Sequence, residues 1–117
     1  MAFLARANGD TGACVQVAGA PDELTRGRVT DQLRDPAPDF IGGLERQGIT
    51  VRAFSACSVD DRYKLTYAIG WPRSSRTGFE VNADRLCGAR CGEGTRVLVK
   101  SVATDWRATQ AETTWAS

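Results

Sequence analysis

Histidine is absent from this 117-residue chain. With it go the Ser-His-Asp triad, the Cys-His dyad, imidazole metal ligands and any side chain that ordinarily titrates near neutral pH. Lysine is nearly missing too, with Lys64 and Lys100 standing against 13 arginines. No apolar run approaches the ~20 residues of a membrane-spanning helix. Charge of one sign is also lacking, since the net charge is +1. It is unevenly spread: residues 1–61 carry six Arg and nine acids, whereas residues 62–117 carry nine basic residues and five acids. The basic half lacks the dense Lys/Arg clusters that track a phosphate backbone, so nucleic acid is not an expected partner.

What is present is an ordinary globular composition, 42% apolar and 25% charged, in a length that suits one domain. Four cysteines in so small a chain suggest two disulfides and an oxidising compartment. Met1-Ala-Phe-Leu-Ala5 is too short an apolar run to be a signal peptide. It reads as the remnant of a trimmed leader, which makes the protein exported, periplasmic or extracellular. The alternative is a cytoplasmic chain with free thiols. Residues 1–12 are expected to form a loose arm, and 13–117 a single disulfide-stapled domain.

Helical signals come first along the chain. Ala20-Pro-Asp-Glu-Leu24 resembles a helix entry with acids in the first turn, and Leu24, Val29 and Leu33 give that helix an imperfect apolar stripe. Asp35-Pro36 is expected to cap a second helix, with Phe40, Ile41 and Leu44 on one face and Gly48 just past its end. From Ile49 the apolar period becomes two. Residues 49–57 alternate as a strand, Val59–Arg62 is the turn, and Tyr63, Leu65, Tyr67, Ile69 and Trp71 mark the clearest strand. After the loop at 72–77, Phe79, Val81 and Ala83 alternate with Glu80 and Asn82. Residues 96–102 and 106–115 form an expected hairpin turning at 103–105. The expected fold is therefore α+β, two N-terminal helices packed on a curled antiparallel sheet of about five strands.

Cys87-Gly-Ala-Arg-Cys91-Gly-Glu-Gly94 is the most distinctive stretch. A redox pair favours two residues between its thiols and a helix N-terminus, and neither occurs here. A zinc site would combine Cys87 and Cys91 with Cys14 and Cys57, but there is no second close pair. Two disulfides, Cys87–Cys91 and Cys14–Cys57, are the preferred reading, with Gly88, Gly92 and Gly94 supplying positive φ in a crowded turn. No metal and no cofactor are expected.

Cys87-Gly-x-x-Cys91-Gly-x-Gly94, a strand, Trp106 and then Thr114-Trp115-x-Ser117 resemble the C-terminal signature of a family of small exported bacterial proteins. The likeness covers residues 85–117 and extends faintly to Pro36-Ala-Pro-Asp-Phe40 and Ser55-Ala-Cys57. The chain departs from the usual pattern at Thr104-Asp105, before Trp106, and at Ala108, where valine is usual. The resemblance implies export and a shared fold, and it implies no activity.

Catalytic groups are hard to find. Asp22/Glu23 and Asp60/Asp61 sit where solvated carboxylates are expected, nothing marks Glu80, Asp84 or Glu112 as a catalytic pair, and Ser55, Ser58 and Ser101 have no evident base. Trp71, Trp106 and Trp115 are first of all core or sheet-edge residues. Where one stands exposed beside an arginine it makes a binding hot spot, so Arg73, Arg76, Arg90, Trp106 and Arg107 are the candidate binding residues. The chain is expected to be a binding module for a protein or small-molecule partner. The alternative is a small enzyme or ligand carrier with a pocket between helices and sheet. A thiolate metal site is the third reading.

Overall fold

The structure, a computed structural model, describes residues 1–10, 12–18, 33–76, 78–88, 91–102 and 105–116. In chain order its elements are α1 (Ala2–Asn8), β1 (Ala13–Ala18), β2 (Leu33–Arg34), α2 (Pro38–Arg46), β3 (Val51–Ala53), a single 3₁₀ turn (Phe54–Ala56), α3 (Val59–Lys64), β4 (Thr66–Ile69), β5 (Arg73–Ser75), β6 (Gly78–Leu86), β7 (Gly92–Val102) and β8 (Asp105–Ala116). Strands hold 52% of the described residues, in eight strands beside three short helices. This corrects the expected pair of N-terminal helices on a five-stranded sheet. The first of those helices, 20–33, falls outside the described residues except for Leu33, which is in β2.

The sheet is mixed rather than antiparallel. Its order is β2-β1-β4-β6-β7-β8, with β3 also on β1 and β5 also on β6. β1 runs parallel to both β3 and β4, whereas β4, β6, β7 and β8 are antiparallel in succession. Parallel pairing needs a long crossover, and the chain from β1 to β4 supplies one.

The strand expected over 63–71 is shorter and broken for a local reason. Ser58 caps α3 by accepting from the Asp61 amide (3.1 Å), Asp60 and Asp61 occupy the first turn, and Arg62 and Lys64 the last. These are favourable helix-end charges, and they override the apolar alternation through Tyr63, which stays exposed. The strand expected over 49–57 likewise stops at Ala53 and turns into the 3₁₀ segment. The helix expected from Asp35 begins instead at Pro38, after Ala37. Asp35 is engaged elsewhere, accepting the Ser55 amide and hydroxyl.

Gly48 sits just past α2 at φ 78°, and the Gly48 and Ile49 amides return to the Glu45 and Leu44 carbonyls (both 2.9 Å). That is a Schellman ending, closed by the buried Leu44 and Ile49. Within the expected loose arm, α1 buries Leu4 and Ala5 in the main core with Val15, Leu44, Val51, Tyr67, Ile69 and Val97. No helix among the described residues is long and apolar enough to cross a membrane.

Cys14 is bonded to Cys57, and Cys87 to Cys91. The four sulfurs of the alternative tetrathiolate set are therefore joined to one another. The first bridge is buried and fastens β1 to the segment before α3; the second closes the turn between β6 and β7. Among the glycines expected to need positive φ, Gly88 has it (φ 120°), whereas Gly92 and Gly94 are extended residues of β7.

Candidate functional site

Adjacent residues of a strand point to opposite sides of a sheet, so each strand here serves two surfaces. On one side, Val15, Tyr67 and Arg85 are in register across β1, β4 and β6, and so are Val17, Ile69, Ala83 and Thr95 one step along. This is the core side. On the other side, Gln16, Ala68, Asp84, Gly94 and Trp115 form a single row across β1, β4, β6, β7 and β8. Asn82, Arg96 and Glu112 form the next row, and Arg73, Glu80, Leu98 and Gln110 the one after.

This second side carries an open trough of about 400 Å3, walled by Trp71, Trp115, Arg73 and Arg96 and floored in part by Ala68 and Gly70. The small residues lie low between larger ones, which is how a pleated surface becomes concave. Gly94 is the critical one. A Cβ there would coincide with the pyrrole edge of Trp115, so the missing side chain lets that indole lie across β7. Trp115 thereby spans from β8 to β6, where its Nε1–H donates to the Asp84 carboxylate at 3.2 Å. The ring is fixed at both ends and still 41% exposed, as is Trp71. Arg96 stands 3.9 Å from Glu80 and 3.7 Å from Glu112, loose pairs that are partly solvated. Arg73 has no carboxylate within ion-pair distance among the described residues. A second, apolar hollow bordered by Pro72, Phe79, Val81 and Val99 shares Trp71 with the trough.

A different polar cluster lies on the core side. Asp10, just after α1, accepts from Arg85 Nε (2.8 Å) and Nη2 (2.9 Å) and from the Tyr67 hydroxyl. Its side chain is 8% exposed. The Arg85 hydrogen bonds hold the Asp10 carboxyl below its usual range. Burial, with Asp10 beside it, pushes the Tyr67 phenol well up, and Asp10 raises Arg85. Arg85 Nη1 also reaches Cys87 Sγ at 3.2 Å. Every charge in this group has a partner, so it joins α1 to β4, β6 and the Cys87–Cys91 turn. It offers no free acid or base.

Of the residues expected to bind, Arg73 lines the trough. Arg76 is exposed in the turn after β5 and does not line it. Arg107 is exposed on β8 opposite Lys100, and Trp106 is placed opposite Ser101 with its side chain outside the described set. Arg90 lies outside the described residues. Asn82, Asp84 and Arg96 were not among the candidates; in sequence they are simply the polar half of alternating strands. The signal that identifies them is cross-strand register, a tryptophan facing a glycine with a carboxylate one strand further on. Comparison with protein-family models, curated proteins and solved structures found no match to this chain.

Proposed function

We propose that this chain is a small exported binding module that seats its ligand or partner in the trough between Trp71 and Trp115. The observation that carries the reading is Trp115, laid over Gly94 and tied to Asp84, yet still open to solvent. Ordered aromatic surface loses little entropy on binding, and beside arginine it is the usual anchor of an interface. Arg73 and Arg96 line the same trough. Export is supported by the two disulfides, which persist in oxidising compartments, and by the resemblance of residues 85–117 to small exported bacterial proteins.

Binding is favoured over catalysis because Asp84 is the single carboxylate among the described lining residues, and it already accepts from Trp115. Hydrolysis by paired carboxyls needs a second one across the cleft. The buried carboxylate, Asp10, is fully engaged on the other side of the sheet.

The test is a protein-observed NMR screen with a library of small polar and aromatic fragments. The reading expects repeated shifts of the Trp115 indole N–H and the Asn82 side-chain amide. Hits that gather elsewhere, or an absence of hits across the library, overturn it.

A further inference from the structure

The chemistry of the trough points to one class of occupant, and the argument rests on the binding reading above. Its two guanidinium groups, Arg73 and Arg96, share their side of the sheet with three nearby carboxylates, Asp84, Glu80 and Glu112. A polyanion such as a nucleotide or polyuronate would meet Asp84 in the trough, with Glu80 and Glu112 already beside Arg96. A polycation would meet both arginines. Groups of both signs in the lining favour a neutral occupant over a strongly ionic one.

The same groups are well suited to hydroxyls. Asp84 accepts, Arg73 and Arg96 donate through planar forks, and Asn82 does both, so paired neighbouring hydroxyls can be bridged without a net charge. Trp115 adds a fixed aromatic surface, and Trp71 adds a second exposed indole in the same hollow. A pyranose ring has a face of C–H bonds that stacks on an indole and a rim of hydroxyls that reaches polar side chains. A purely apolar ligand would leave the arginines and Asp84 desolvated without partners, which is costly. We infer that the trough is a carbohydrate site that holds a neutral saccharide, stacked on Trp115 and hydrogen-bonded to Asp84, Asn82 and the two arginines. Gly94 acts as a positioning residue, because only a glycine leaves room for the ring.

The experiment is titration of the full chain with cellohexaose, xylohexaose, chitohexaose and maltohexaose, followed by tryptophan fluorescence and calorimetry. Hexagalacturonate and ATP are the anionic comparators. At least one neutral hexasaccharide is expected to bind, with affinity falling at least about tenfold in Trp115→Ala. Trp115→Phe is expected to recover part of the loss, since it keeps the stacking face and loses only the bond to Asp84. Should Trp115→Ala fold poorly, Trp71→Ala on the far wall is expected to weaken the same saccharide. Binding of the anionic probes alone, or equal saccharide affinity in every variant, overturns the inference. If fragments mark the trough and none of the neutral hexasaccharides binds, the carbohydrate inference fails and the binding reading stands. If nothing marks the trough, both fail.

Discussion

Arg85 and Asp84 are neighbours in β6, and Tyr67 and Ala68 are neighbours in β4, yet each pair is divided between two polar regions of opposite character. On the core side, Tyr67 and Arg85 close on Asp10 in a cluster whose charges are all matched. On the other side, Asp84 joins a trough in which Arg96 is loosely paired, Arg73 has no carboxylate within ion-pair distance among the described residues, and the indoles are partly in solvent. Buried polar groups must be satisfied, and once satisfied they hold structure. Exposed groups held at known positions with capacity to spare can recognise something else. One pair of strands thus supplies both the fastening and the site, and the division follows from the period of two.

The largest expected effects fall on the fastenings. Replacing Cys14 and Cys57 together by alanine releases a bridge of sequence separation 43 and is expected to cost about 4 kcal/mol in urea unfolding. Removing Cys87 and Cys91, separated by four, is expected to cost about half as much in the same chain-entropy account, roughly 2 kcal/mol. Equal losses would break the ranking.

Asp10→Asn leaves the Arg85 guanidinium, 23% exposed, without its anion, and is expected to cost about 2 kcal/mol. It also carries a pH signature. The carboxyl has a lower pKa folded than unfolded, so the unfolded chain binds more protons in acid. The stabilisation is complete above the ordinary carboxylate pKa, about 4, and is lost as pH falls through the lower folded value. Asp10→Asn is therefore expected to flatten the acid limb of a stability–pH curve. An unchanged limb would show that the cluster does not couple to folding.

How much of this was legible in sequence depends on the range of the interaction. The ending of α2 was legible, because Gly48 and its flanking apolar residues form a local motif. The start was not: Asp35 and Pro36 have the right chemistry for a cap, but Asp35 is drawn to Ser55, twenty residues on. The strand at 63–71 was misread because alternation extends through Tyr63, while the Ser58 cap and its helix-end charges decide that turn. The parallel pairing of β1 is a long-range choice with no local marker. The site was legible only in part. Trp71, Trp115 and Arg73 stood out by residue type, whereas Asp84 and the spatial role of Gly94 depend on registering three strands.

Smaller effects sharpen the contrast. Ser58→Ala removes the α3 cap and is expected to cost about 1 kcal/mol. Trp115→Ala is expected to cost less in unfolding than Asp10→Asn, since Trp115 is 41% exposed, while weakening recognition in the trough at least about tenfold. A loss as large as that of Asp10→Asn would make Trp115 a fastening and erase the distinction between the two sides.

The most direct measurement is the side-chain NMR shift map of the chain under the fragment library. The account predicts movement of the Trp115 indole N–H and Asn82 side-chain amide, with the methyl groups of Val15, Val51 and Val97 undisturbed. Shifts centred on those core methyls, or no shifts at the trough, would contradict it.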